Sequence, residues 1–233
     1  MATAYRPEYQ PATGTIIEAF IEEIEALGGS VPDVYDDGQR LCARGILQSS
    51  SDVRPGDTIR GGVAVRVMGP EIAVHPYTYR KVCSNGAIVA HALETRRLER
   101  VETSDVFAPT YEVSVTLADF RFAVKACASP EAFVRVRDEM RSATEMEADV
   151  ALHFLPYVST LPTHMVSSVV PLIFQRFAAD RDMTLFGLMN AVTAVARDIR
   201  DPDTKWRLEE LGGSMPARVV GLPKTVSPAV AAL

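Results

Sequence analysis

Ten basic side chains crowd one stretch of the chain. Between Gly38 and Arg100 stand nine arginines and Lys81 against five acids, a balance of +5, while the remaining residues hold fourteen bases and twenty-five acids, a balance of −11. A cationic segment of this kind is a footprint for a polyanion, because each arginine or lysine that meets a phosphate releases condensed counterions. Arginine adds a planar fork that can clasp phosphate or stack on a base. Tyr77, Tyr79 and His75 lie close by in sequence and offer stacking faces. The residues expected to contact nucleic acid are Arg60, Arg66, Tyr77, Tyr79, Arg80, Lys81, Arg96 and Arg97. The plainer alternative is that these arginines are solvated residues on the exposed face of an antiparallel sheet.

Catalytic patterns are absent. The chain has no phosphate loop, no dinucleotide fingerprint and no GxSxG elbow. None of His75, His91, His153 and His164 forms an HExxH or HxxxH pair, and Cys42, Cys83 and Cys127 are too far apart for the short cysteine gaps of structural zinc sites. Cys83 with His75 and His91 could approach a metal if a hairpin closed, but Cys83 reads more simply as a small buried strand residue. Glu145, Glu147 and Asp149 read as a solvated helix end or loop, and Asp180, Asp182, Asp201 and Asp203 as helix-terminus acids. Asp198 and Asp201 beside Arg197 and Arg200 read as surface ion pairs. No nucleophile stands beside a base, so no catalytic residue, metal or cofactor is expected. An enzyme would need three of the scattered acids to converge in one cleft.

The elements that must position these residues follow from periodicity. Ile16, Ile17, Phe20, Ile21, Ile24 and Leu27 recur at helical spacing, with Thr13 or Thr15 as cap and Gly28-Gly29 as stop. From Val31 to Val101 the signals are strands. Asp36-Asp37-Gly38 reads as a hairpin turn, Arg54-Pro55-Gly56-Asp57 as another, and Thr58–Met68 as the clearest strand. There Arg60, Gly62, Ala64, Arg66 and Met68 share one face, and Gly61-Gly62 suggests a bulge or a close backbone approach. Gly69-Pro70 breaks the strand, Pro76 should interrupt the next, and Asn85-Gly86 should turn a hairpin whose return is mostly strand from Ala87 to Val101. Beyond Asp105 helices are expected: an ambiguous Tyr111–Ala126, then Ser129-Pro130 opening one to about Met146, Leu161-Pro162-Thr163 one through Phe177 with Pro171 as a kink, and Thr184 one to Arg200. Asp201-Pro202-Asp203 should open a short last helix stopped by Gly212-Gly213. The prediction is a single α+β domain over 1–213, strand-rich at 31–101 and helical at 105–213, with a loosely held tail over 214–233 and residues 1–10 as an arm.

Several stretches together resemble a known family. They are Tyr5-Arg6-Pro7, Asp37-Gly38-Gln39-Arg40, Pro55-Gly56-Asp57, Tyr79-Arg80-Lys81-Val82-Cys83-Ser84-Asn85-Gly86, Leu185-Phe186-Gly187-Leu188-Met189-Asn190-Ala191-Val192-Thr193 and Trp206-Arg207-Leu208-Glu209. The chain resembles, over about Tyr5 to Gly213, the phage- and plasmid-associated family catalogued as domain of unknown function nine-three-two. The resemblance implies a bacterial or mobile-element protein of the cytoplasm, and it carries no catalytic set. In that motif Cys83, Asn85 and Gly86 read either as turn-builders or as part of a site, and Asn190 and Thr193 as a helix–sheet clamp that needs buried hydrogen-bond partners. Trp206 should seal the last helix against the core.

Hydrophobic residues make up 47% of the 233, enough for a core, and no apolar run reaches the ~20 residues of a membrane span. The first residues lack a secretory h-region, and the odd cysteine count suits a reducing compartment, so a cytoplasmic protein with no membrane partner is expected. The leading expectation is a mobile-element protein that binds single- or double-stranded DNA on a basic sheet face, in replication, recombination or maintenance, with self-association into a homo-oligomer. The rival is a non-enzymatic interaction or assembly subunit, for instance a phage-encoded inhibitor, that works through its acidic helical face.

Overall fold

Turn chemistry sets the sheet. The structure, a computed structural model, describes residues 13–99, 109–158 and 161–220. Helix α1 (Thr13–Ala26) buries Ile16, Phe20 and Ile24, spaced one turn apart. It closes on Gly28 in the left-handed region, with the Gly29 N–H returning to the Ile24 carbonyl at 2.8 Å. Strands β1 (Ser30–Asp36) and β2 (Arg40–Arg54) turn at Gly38, φ 86°. Strand β3 (Asp57–Met68) follows a turn at Gly56, and β4 (Glu71–Arg80) a turn at Gly69. The antiparallel order is β1-β2-β3-β4-β5, and β5 (Asn85–Ile88) and β6 (Arg96–Glu99) lie along the same edge of β4.

Pro76 does not interrupt β4. It falls between the stretch of β4 paired with β6 (71–74) and the stretch paired with β5 (77–80), where no ladder bond on that side needs its nitrogen. Its carbonyl still accepts from the Val89 N–H at 2.9 Å. Asn85-Gly86 does not form the turn either. Residues 81–84 do, with Ser84 at φ 52°, and Asn85 and Gly86 are already in β5. Gly86 is there for space, since a Cβ would stand 1.8 Å from the Tyr77 hydroxyl. Cys83 sits in that turn, half-buried, rather than in a strand. The expected return strand from Ala87 ends at Ile88 and resumes only at Arg96; Arg100 and Val101 lie outside the described residues.

The ambiguous segment is helix α2 (Pro109–Cys127). Ser129 caps α3 (Pro130–Thr144), its hydroxyl accepting from the Ala132 N–H at 3.2 Å. Two short turns, α4 (Val150–His153) and α5 (Leu155–Val158), lead to α6 (Thr163–Asp180), which carries Pro171. Thr184 caps α7 (Leu185–Asp198) through the Gly187 N–H at 3.1 Å.

The last helix is not short. Helix α8 (Pro202–Val220) runs through Gly212-Gly213 and Pro216, so residues 214–220 are helical; 221–233 and 1–12 lie outside the described residues. The two glycines mark close approach rather than a stop. A Cβ on Gly213 would meet the Ile88 carbonyl oxygen at 2.1 Å, and one on Gly212 the Thr193 methyl at 2.5 Å. Gly62 does the same inside the sheet, its Cβ position 2.1 Å from the Gly45 carbonyl oxygen.

The sheet is covered on both faces. Val63, Val65, Val67, Ile72 and Val74 pack against α1 and α2, and Ile59, Ala87 and Val89 against α3, α6 and α7. On the opposite face Cys42, Ala64, Tyr77 and Ile88 receive Trp206 of α8, which is 1% exposed. The result is the expected α+β fold: an N-terminal helix, an antiparallel sheet and C-terminal helices.

Because α8 rests on β5 backbone at Gly213, Gly213→Ala should destabilise the protein by ~1–3 kcal/mol in urea denaturation. In an open helix the same change gains about 1 kcal/mol, so a stabilised variant would contradict the packing.

Candidate functional site

The register divides the expected contact residues between two faces. Arg66 pairs with Ala73 and Arg60 with Tyr79, which puts Arg60, Arg66, Tyr77, Tyr79 and Arg97 on the face under α8. Arg80, opposite Ile59, and Arg96, opposite Val74, belong to the other face. Lys81 follows the end of β4. The eight residues therefore do not form one surface.

Most of the cations are engaged by the protein itself. Arg44, 3% exposed at its side chain, donates from Nε to Glu209 of α8 at 2.7 Å and pairs with Asp33 at 3.2 Å. Burial opposes the charge on Arg44, and Glu209 and Asp33 more than offset it, so its pKa rises. Asp203 in the first turn of α8 receives Arg40 at 3.0 Å and Arg66 at 3.3 Å, where the helix N-terminus also favours a carboxylate. Lys205 completes the set on Asp33 at 2.6 Å. The Trp206 ring lies among these cations, with the guanidinium carbons of Arg44 and Arg66 at 5.6 and 5.9 Å from its centroid.

A second cluster joins the far end of the sheet to α7. Asp57, 4% exposed, accepts both Nε and Nη2 of Arg80 at 2.6 Å, and Nε of Arg54 at 3.2 Å. Arg54 reaches on to Asp182 at 2.8 Å, and both guanidiniums lie over Phe186 at 5.4 and 5.5 Å. Thr184 and Arg54 outweigh the effect of burial on Asp182 and lower its carboxyl pKa. Of the nine described cations in the basic stretch, six are paired with acids: Arg40, Arg44, Arg54, Arg66, Arg80 and Arg97. Arg60 donates to the Leu47 carbonyl at 2.8 Å, and Arg96 to those of Leu93 and Thr95 at 2.8 and 2.9 Å.

Tyr77 is corrected as a stacking residue. It is 5% exposed and belongs to the cluster around Trp206, so no base can reach its ring. Tyr79 is half-buried beside the same cluster. Of the eight, only Lys81 and Arg97 are exposed.

Of the expected clamp residues, Thr193 meets the sheet, while the buried Asn190 amide nitrogen has no partner among the described residues. Asn85 of β5 donates to the Thr193 hydroxyl at 2.5 Å, and that hydroxyl is also in contact with the Met189 carbonyl at 3.0 Å. The acids take structural roles too. Asp149 caps α4 through the Leu152 N–H at 3.0 Å, Asp201 caps α8 through the Thr204 N–H at 2.8 Å, and Asp180 pairs with Arg176 at 3.0 Å. Asp198 pairs with Arg197 at 2.8 Å. Among the described residues no three His, Cys, Asp or Glu side chains gather as a metal cluster, and His75, His91 and Cys83 do not converge. What sequence reasoning missed is the role of Asp33, Asp182, Asp203 and Glu209. The opposite charge balances of the two halves were the available signal.

No family model, no curated protein and no solved structure matches this chain. The family resemblance rests on its motifs alone.

Removing Glu209 takes the buried counter-charge from Arg44 and leaves it the partly exposed Asp33. Glu209→Ala should cost ~3–5 kcal/mol in chemical denaturation, and the double variant Arg44→Met/Glu209→Leu should recover most of it. A Glu209→Ala loss below about 1 kcal/mol would mean that the pair is effectively solvated. A second expectation concerns His75, 2% exposed, whose pKa is lowered to about 4 by burial and then by Arg97 and Arg66. Between pH 6.5 and 4 the unfolded chain binds a proton at His75 that the folded chain refuses, so the folded state loses stability as the pH falls through that window. The stability margin of wild type over His75→Gln should therefore shrink from pH 6.5 to 4. A margin independent of pH would contradict the burial.

Proposed function

We propose that this chain is a non-enzymatic interaction or assembly subunit that meets its partners through its helical side. One observation carries the reading: the sheet's arginines are neutralised from within by Asp33, Asp57, Asp182, Asp203 and Glu209. Ion pairs cancel, so the −6 of the chain is carried by what remains. Glu18, Glu25, Asp119, Glu131, Glu145 and Glu147 are exposed and in no ion pair among the described residues. They lie on α1, α2, α3 and the segment after α3. Cavities of about 100, 20 and 10 Å³ lie next to the sheet among the described residues, each smaller than the roughly 300–1,000 Å³ of clefts that engulf a metabolite. No helix among the described residues is long and apolar enough to cross a membrane.

The rival reading, nucleic-acid binding on a basic sheet face, would have to rest on Lys81 and Arg97, the two exposed members of its contact set. Electrostatic binding by a continuous track falls steeply with salt, each phosphate contact adding about 0.7–0.9 to the slope of log K on log salt. Labelled single- and double-stranded oligonucleotides titrated at low ionic strength should show no saturable binding. In sedimentation or crosslinking of the full chain, contacts should map to the helices. Salt-dependent oligonucleotide binding that is lost on neutralising Lys81 and Arg97 would overturn the proposal.

A further inference from the structure

Helix α8 leaves the β6 end of its sheet face open. There a cleft of about 100 Å³ remains, walled by Arg66, Glu71, His75, Arg97, Trp206 and Glu210. Its donors and acceptors can be assigned. The Thr95 hydroxyl lies 3.3 Å from the Val89 carbonyl and 3.2 Å from His75 Nδ1; with its proton on the carbonyl, Nδ1–H donates to the hydroxyl. Neutral His75 then keeps an acceptor lone pair on Nε2. Arg66 spends Nη2 on Asp203 at 3.3 Å, while its Nε–H is buried and has no acceptor. Among the described residues Arg97 makes a 3.6 Å pair with Glu71, both side chains being at least half exposed, and such pairs are readily exchanged.

We propose that this cleft binds a small singly protonated oxyanion of the phosphate class. The Arg66 and Arg97 guanidiniums donate to its oxygens, and His75 Nε2 accepts from its hydroxyl. Two guanidiniums face two carboxylates in the wall, so binding is an exchange: the anion replaces Glu71 on Arg97. Trp206 and the neutral imidazole supply a rigid floor, their ring centroids 5.8 Å apart. The field of the two arginines, which with burial disfavours a proton on His75, is the field that an anion would relieve. The inference is independent of the assembly role.

The test is titration of the full chain with inorganic phosphate at constant ionic strength, read by calorimetry and by the NMR signals of the His75 ring, with a nucleoside monophosphate as a second arm. Saturable binding that moves the His75 signals is expected with inorganic phosphate. A response to the monophosphate as well, at a pH below its second pKa of about 6 where it keeps one hydroxyl, would mark a phosphate monoester as the ligand, and a response to inorganic phosphate alone a free ion. Arg97→Gln, an exposed position, should weaken binding by about tenfold or more, the worth of one charge-assisted hydrogen bond. Glu71→Gln should tighten it by freeing Arg97. The proposal fails if His75 does not respond to phosphate, if Arg97→Gln binds as well as wild type, or if Glu71→Gln binds more weakly.

Discussion

A guanidinium cannot sit under a tryptophan inside a protein unless something carries the opposite charge to it. Arg44 lies mid-strand in β2, and its buried position is tenable only while α8 delivers Glu209 and β1 delivers Asp33. That requirement fixes where α8 lies, and α8 in turn covers Tyr77 and Ile88 with Trp206 and brings Asp203 to Arg40 and Arg66. Gly213 permits the approach, because no side chain separates α8 from the Ile88 backbone. The charge pair and the missing Cβ serve the same contact. The second cluster, Arg54 and Arg80 around Asp57 and Phe186, ties α7 to the opposite end of the sheet in the same way.

Features encoded within a few residues were legible in the sequence. The turns at Gly38, Gly56 and Gly69, the caps at Ser129 and Thr184, and the alternation of β3 depend on local backbone conformation or on side chains within hydrogen-bond reach. Features that depend on a distant partner were not. Gly212-Gly213 has the signature of a helix stop, but its small size serves contact with β5 and α7. Asn85-Gly86 has the signature of a tight turn, but Gly86 makes room for Tyr77, and Asn85 donates to a hydroxyl 108 residues away. Pro76 looks like an interruption until the gap between β5 and β6 is known. The pairing of Arg40 with Asp203, 163 residues apart, has no local trace. The opposed balances, +5 and −11, were visible, and they describe an internal docking surface as well as they describe a polyanion footprint.

This reassignment changes what the surface can offer. A stretch that carries ten cations on paper presents few of them to solvent, because long side chains reach inward or along the strand to carboxylates and carbonyls. Among the described residues, Glu18, Glu25, Asp119, Glu131, Glu145 and Glu147 are exposed unpaired acids on the helices and their connections, and Asp36 and Asp52 are exposed unpaired acids on β1 and β2. At the β6 end Arg97 stays half free beside Arg66 and His75.

In solution the sheet arginines should stay committed to their internal carboxylates. Exchange of the arginine Nε–H protons with water, followed by NMR on the folded full chain as salt is raised, tests this directly. Arg44 and Arg80 should give sharp, slowly exchanging Nε–H signals that salt and added oligonucleotide leave unmoved, since both donate to buried carboxylates. Rapid exchange at both, or displacement of both signals by an oligonucleotide, would show these side chains open to solvent and would contradict the internal pairing.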